Sequence, residues 1–336
     1  MSGFNTGRAR RAALAVVAAA ALLLTATACG SSSGGNKAAS GGTKHLKIVS
    51  LITTGAPFQA SVLAGLQQQA AAAGNVTLSN VNTNGDISQE AAAIQNLIAN
   101  KPDGVILMAN DAKAAVTEVQ QLHNAGIPVL AVHTQVGTGA FDQPDPNLVA
   151  FVTQSEFAAG QQAGALAAKA LPSGGKIGIV EGSGCCQQAV ADRTNGFLSG
   201  AKAAGVNFDV VSKQPGAWVP DTAQTACQNM LQSNPGIALF YAQSDDMAAG
   251  CAKAVQKAGS KAKIIGIGGS KLGIDDVKAG TIYGTVCYKP NDLGVLAAKT
   301  FIAALRAGES RANPAFVTYT TPSITTSNVA DCTPQW

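Results

Sequence analysis

A chain of 336 residues is long enough for two ordinary domains, each with its own core. Its formal net charge of +4 includes Arg8, Arg10 and Arg11; without them the balance is +1, which gives no electrostatic case for nucleic acid as a partner. Three histidines, His45, His123 and His133, show no metal-ligand spacing, so no metal site is expected.

In chain order, the three arginines precede an apolar run from Ala12 to Leu24, and small residues then lead to Cys29. This is the make-up of an export signal over residues 1–28: a charged region, an apolar stretch of secretory length and a cleavage site. The run falls short of the roughly 20 apolar residues of a membrane-spanning helix. Ala26-Thr27-Ala28-Cys29 resembles a bacterial lipoprotein signal, in which the cysteine is acylated and becomes the new N-terminus. Leucine is commoner where Ala26 stands, and an ordinary secretory signal cut after a small residue is the alternative. The Gly/Ser-rich residues 29–43 then read as a flexible tether.

From His45 onward, short β-branched runs alternate with longer Ala/Gln/Leu stretches. LKIVSLI leads to a helix over Phe58–Ala73, VTLSNV to a helix over Ser88–Ala99, DGVILMA to a helix over Val116–Ala125, and IPVLAV follows. After FVTQ the rhythm restarts, with helices predicted over Glu156–Ala170, Gln187–Ala203, Asp221–Gln232 and Asp246–Ala258. The strands KIGIV, FDVV, IALFYA and KIIGIG separate them. A short helix over Ile274–Lys278, the strand IYGTVCY and a helix over Asn291–Ala307 close the pattern. Near-continuous apolar strands alternating with helices predict parallel sheets covered on both faces, and two successive sets predict an α/β fold of two doubly wound lobes. In such sheets ligands bind beyond the carboxyl ends of the strands, so the loops there are the place to look.

Several stretches fall in a telling order: APFQASVLAGLQQQA after the first strand, then KPDGVIL, GIPVLAV, DRTNGF, QPGAW, YAQSDDMAAG and GTVCYKPNDLG. With them the chain resembles a type I periplasmic substrate-binding protein of the ribose/sugar group, the extracellular receptor of an ABC importer. The resemblance spans roughly residues 45–325. It implies two lobes joined by a three-strand hinge: an N-lobe of residues 44–152 plus 289–318 and a C-lobe of 153–288 plus 319–336, closing on a ligand between them.

The resemblance also assigns residues. Phe58 stands where a stacking aromatic is usual, or else it only packs the helix start. Trp218 falls where an aromatic covers a sugar face, whose C–H groups pack on a rigid ring, or else it is a partly buried loop anchor. Arg193 matches an arginine that donates to sugar oxygens through a fixed, permanently charged fork; the alternative is a salt bridge to Asp192 or Glu181. Ser244 replaces an expected asparagine, and Asp245 either orients ligand or caps its helix. The chain also departs from the pattern. His133 and Thr134 stand where a carboxylate and an arginine are common, Gly268 where another aspartate is expected, and Tyr288 where glutamine is frequent. Losing two strong acceptors argues against ribose itself. His133 can accept through one nitrogen and donate through the other, which suits a different sugar, a polyol, or a small acidic or aromatic ligand.

Setting Cys29 aside leaves six cysteines, an even number that suggests disulfides in an exported chain. Cys227–Cys251 would join helices on either side of IALFYA, and Cys287–Cys332 would tie the tail to the last C-lobe strand. Cys185 and Cys186 fall beside Arg193 at the implied ligand, either as a vicinal disulfide or as free or separately paired thiols. Catalysis is not expected. GIGGSKLG has Lys271 in place of the third glycine of a dinucleotide fingerprint, and PSGGK lacks the earlier glycine of a phosphate loop. The expected protein is a monomeric, lipid-anchored binding protein on the outer face of the membrane, without cofactor. It would capture a small polar ligand, a sugar or polyol, for ABC permease and ATPase subunits; the alternative is a sensory lipoprotein that signals to a membrane kinase or receptor.

Overall fold

A computed structural model describes residues 44–183, 187–308 and 313–336. The export signal, Cys29, the tether, and Cys185 with Cys186 lie outside the described residues.

The alternation read from the sequence becomes, in chain order, β1 (Leu46–Leu51), α1 (Pro57–Ala73), β2 (Val76–Val81), α2 (Ile87–Asn100), β3 (Gly104–Leu107), α3 (Ala114–Asn124), β4 (Val129–Val132) and β5 (Ala150–Gln154). Next come α4 (Glu156–Ala170), β6 (Gly175–Glu181), α5 (Gln187–Ala203), β7 (Phe208–Pro215), α6 (Pro220–Ser233), β8 (Leu239–Ala242), α7 (Asp245–Lys257) and β9 (Lys263–Ile265). The chain ends with α8 (Lys271–Ala279), β10 (Thr285–Val286), α9 (Pro290–Ala307), β11 (Ala315–Tyr319) and β12 (Ser323–Ile324).

The strands form two parallel sheets, ordered β11-β5-β4-β3-β1-β2 and β7-β6-β8-β9. GVIL, VLAV and LFYA are buried at every residue because helices cover both faces of their sheets, whereas the edge strand VTLSNV alternates. Helices α1 and α9 pack on one face of the first sheet, around Leu66, Leu293 and Phe301. Helices α2 and α3 cover the other, around Ile94, Val119 and Leu122. On the second sheet, α4 and α5 pack around Phe197 and Tyr241, and α6 and α7 around Met230, Met247 and Phe240.

Helix starts are set locally. Asp86, Ser155, Ser244 and Ser270 accept backbone N–H groups at the starts of α2, α4, α7 and α8, while Pro57, Pro220 and Pro290 open α1, α6 and α9. Helices α4 and α5 approach closely because Gly160 and Gly164 face α5, and Gly196 and Gly200 face α4. A Cβ at any of the four would strike the opposing backbone. That approach brings Glu156, at the start of α4, up to Arg193 on α5.

Strands β11 and β12 fall where none was predicted, and two predicted elements differ from expectation. IYGTVCY shrinks to β10, which pairs antiparallel with β12 and meets the β9 side through the isolated bridges Ile265–Gly284 and Gly268–Cys287. Gly268 (φ 148°) and Gly269 (φ 61°) turn the chain out of the ladder there. The helix predicted over Ile274–Lys278 is the longer α8, because Ser270 caps it one turn earlier. The disulfides Cys227–Cys251, between α6 and α7, and Cys287–Cys332 are both present, with Cα–Cα separations of 5.3 and 6.0 Å.

Candidate functional site

A cavity of about 540 Å³ opens where loops at the carboxyl ends of both sheets converge. The first sheet contributes Pro57–Gln59 at the start of α1, Asp111–Lys113 after β3, and His133–Gln135 after β4. The second contributes Gln188 and Arg193 on α5, Trp218 after β7, Ser244 and Asp246 after β8, and Ile267 after β9; Trp336 completes the wall.

Arg193 organises this wall. It is 8% exposed, donates from Nε to Glu156 Oε2 at 2.6 Å and from Nη1 to the Gln243 carbonyl at 2.7 Å. Its guanidinium carbon lies 5.3 Å from the Trp218 ring centroid and 5.4 Å from that of Tyr288. Among the described residues these bonds use two of five N–H groups and leave three for whatever enters. The partner is Glu156, not Asp192 or Glu181 as weighed from the sequence. Asp192 instead accepts from Gln188, and Glu181 from Thr194.

Glu156 is 2% exposed and also accepts from the Tyr288 hydroxyl at 2.6 Å and from Gln154 Nε2 at 2.8 Å. Burial opposes its ionisation, but the charge and hydrogen bond of Arg193 outweigh burial and hold the carboxyl below its usual range. Burial likewise works against the charge of Arg193, and Glu156 more than restores it, so the guanidinium pKa is raised. Burial first, with Glu156 beside it, pushes the Tyr288 hydroxyl well above an ordinary phenol.

The same network fixes His133. A carboxylate only accepts, so Gln154 must present its amide nitrogen to Glu156. That nitrogen also lies 2.9 Å from His133 Nδ1, which therefore accepts. Neutral His133 then carries its proton on Nε2. Desolvation lowers its pKa, and the charge of Arg193 adds to that against Glu156.

Aromatic groups gather on the other side. The Phe58 ring lies 4.7 Å from His133, 5.5 Å from Trp336 and 6.4 Å from Tyr288. Trp218 donates from Nε1 to the Ser183 carbonyl at 2.9 Å and lies over Gly182, where any Cβ would enter its ring. His133, Ala217 and Trp218 adopt left-handed φ of 63°, 55° and 61°. Such non-glycine conformations cost on the order of 1–3 kcal/mol each and persist where surroundings impose them.

Five of the residues named from the sequence thus meet at one cavity: Phe58, His133, Arg193, Trp218 and Ser244. Ser244 also caps α7 by accepting from the Met247 N–H at 3.2 Å, the role weighed for Asp245. Asp245 does not line the cavity. Its fully buried carboxylate accepts from the Ser270 N–H and hydroxyl and from the Thr285 hydroxyl, and burial raises its pKa to about 6. Tyr288 stands one layer back, behind Glu156 and Arg193.

Sequence reasoning missed Glu156, Gln154, Gln243, Asp111, Lys113, Asp246 and Trp336. The wall therefore does carry carboxylates, at Asp111 and Asp246, with Lys113 beside the first. Glu156 was findable, since it opens a helix immediately after a strand, behind a serine cap.

This architecture has relatives. Residues 48–310 match the periplasmic binding protein domain. The ribose import binding protein of Bacillus subtilis is 27% identical over 259 residues, covering 77% of this chain and 81% of its own. The xylitol-binding protein of Mycolicibacterium smegmatis is 31% identical over 263 residues, covering 77% of this chain and 71% of its own. An ABC transporter solute-binding protein from Mycobacterium smegmatis, solved with bound glycerol, superimposes with a TM-score of 0.73 at 28% identity, over 85% of this chain and 96% of that one. With two parallel-sheet lobes, a cavity between their loops and this similarity over most of its length, the chain belongs to the periplasmic binding protein family, the solute-binding components of ABC transporters.

Proposed function

We propose that the cavity captures a polyol or a sugar in its open-chain or ring form and presents it to ABC permease and ATPase subunits, with the protein held at the outer face of the membrane through acylated Cys29. The observation that carries this reading is Arg193. Glu156 locks it between the rings of Trp218 and Tyr288 with three N–H groups left over among the described residues, and Phe58 lines the same cavity. A polyhydroxylated ligand offers what this wall lacks: several adjacent oxygens for fixed donors and C–H faces for aromatic rings. His133 donates from Nε2, and Asp111 and Asp246 accept from hydroxyls. Xylitol, ribose and glycerol, in the names of the relatives above, all belong to this chemical class. No catalytic step is called for, because capture needs only tighter binding by the closed arrangement of the lobes.

The test is a thermal-shift and calorimetric series with xylitol, ribitol, ribose, allose, myo-inositol and glycerol. A ligand at 100 times its Kd raises stability by about 2.7 kcal/mol, and at least one polyol or sugar is expected to do so. A series in which none shifts the melting temperature, while a small acid or aromatic does, overturns the assignment. Pull-down from detergent-solubilised membranes is expected to recover transport subunits; recovery of a kinase or receptor instead makes the protein a sensor.

A further inference from the structure

The tail at residues 332–336 touches elements of both lobes. In the second, the Cys287–Cys332 disulfide holds it, and the Lys271 N–H donates to the Trp336 carbonyl at 2.8 Å. In the first, Ser61 on α1 donates from Oγ to the Gln335 carbonyl at 2.8 Å. Helix α9 has no side-chain cap of its own at Lys289; instead Gln335 Oε1 accepts from the Asn291 and Asp292 N–H groups at 2.8 and 3.2 Å. Gln335 Nε2 donates in turn to Asp292 Oδ1 at 2.9 Å.

These bonds deliver an indole to the cavity. Trp336 is one of its walls, edge-on to Phe58 and backed by Gly268, where a Cβ would come within 2.9 Å of the ring. Its Nε1 is shut off from solvent and has no acceptor among the described residues. Buried donors are almost always paired, so this one calls for a partner beyond the described residues.

We propose that residues 332–336 are a strap joining the two lobes across the cleft, and that Trp336 is a ligand-contacting residue whose indole N–H meets a ligand oxygen when the lobes move. The strap's attachment to the second lobe is covalent and its attachment to the first is by hydrogen bonds. Its bonds to Ser61 and to the start of α9 hold against the parting of the lobes. The strap thereby sets how far the empty cleft opens, and Trp336 helps decide which polyol or sugar fits. The ligand contact rests on the cleft being the binding site proposed above; the strap does not.

The experiment compares the full chain with its Trp336→Phe, Trp336→Ala and Gln335→Ala variants. Calorimetry with xylitol and ribose reads the contact, and small-angle scattering without ligand reads the strap. Trp336→Phe keeps an aromatic wall and removes only the donor, so affinity is expected to fall about tenfold, the scale of one hydrogen bond, and Trp336→Ala is expected to cost more. Gln335→Ala is expected to enlarge the radius of gyration of the ligand-free protein. Parent-like affinity in both Trp336 variants overturns the ligand contact, and unchanged ligand-free scattering in Gln335→Ala overturns the strap. A parent chain that binds neither probe sinks the reading of the cleft and the ligand contact with it, while scattering still decides the strap.

Discussion

At the scale of single residues, Arg193 does two things at once. It faces the cavity, and it neutralises a carboxylate that has no other cation within bonding distance among the described residues. Arg193→Ala therefore leaves Glu156 buried and uncompensated, and is expected to destabilise the fold by about 3–5 kcal/mol as well as abolish binding. Arg193→Ala combined with Glu156→Gln removes the stranded charge and is expected to recover much of that stability but none of the affinity. Denaturant unfolding beside calorimetry separates the two effects; a double variant no more stable than the single one would show that Glu156 is not the reason. The arginine itself was legible in the sequence, because DRTNGF carries it in a recognisable setting. Its partner was not. Glu156 lies 37 positions away, and only the packing of α4 on α5 joins them. The tautomer of His133 was hidden for the same reason, since it depends on which atom Gln154 turns toward Glu156.

At the scale of elements, helices α2 and α3 bring together two buried carboxyl groups that do not line the cavity. Glu90 is fully buried on α2 and accepts from the Asn110 N–H at 3.1 and 3.2 Å; Glu118 on α3 is 4% exposed. Burial, with Glu118 nearby, pushes Glu90 up to about 8, and burial raises Glu118 too. Glu90 in the folded protein thus keeps a proton that the unfolded chain has already released. Between the ordinary carboxylate range near pH 4.5 and pH 8, stability falls as pH rises. Glu90→Gln keeps the acceptor for Asn110 and cannot ionise, so it is expected to stabilise the protein by on the order of 2 kcal/mol at pH 8.5 and to change little at pH 5. Melting temperatures across that range check it, and parallel curves for the two proteins would sink it. Most elements were readable from periodicity because helix packing on both sheet faces makes their strands uniformly apolar. IYGTVCY misled for a local reason: its apolar pattern is that of a strand, but Gly268 and Gly269 turn away the neighbour it would pair with.

For the whole molecule, the two disulfides stabilise chiefly by restricting the unfolded chain. Their sequence separations of 24 and 45 correspond to about 3–4 kcal/mol each on the loop-closure scale. Both lie within the second lobe or its tail, so mild reduction is expected to lower the melting temperature by several degrees. Cys227→Ser with Cys251→Ser isolates the α6–α7 link, and an unchanged melting temperature would show that the packing of those helices suffices. The two-lobed plan was legible because the βα rhythm repeats after FVTQ. What lay beyond reach was the position of Trp336, because no local signal says where residues 332–336 come to rest.

Helix α9 and strand β11 come from the last third of the chain, yet they complete the first sheet and its core around Phe301. The opening half of the sequence therefore builds the α2–α3 side of that interior by itself, whereas the α1 side needs Leu293 and Phe301 of α9. The six-stranded sheet is complete only with β11, which ends at Tyr319. Removal of α9 and β11 is accordingly expected to lay bare the α1 side of the first sheet while the α2–α3 side keeps its cover.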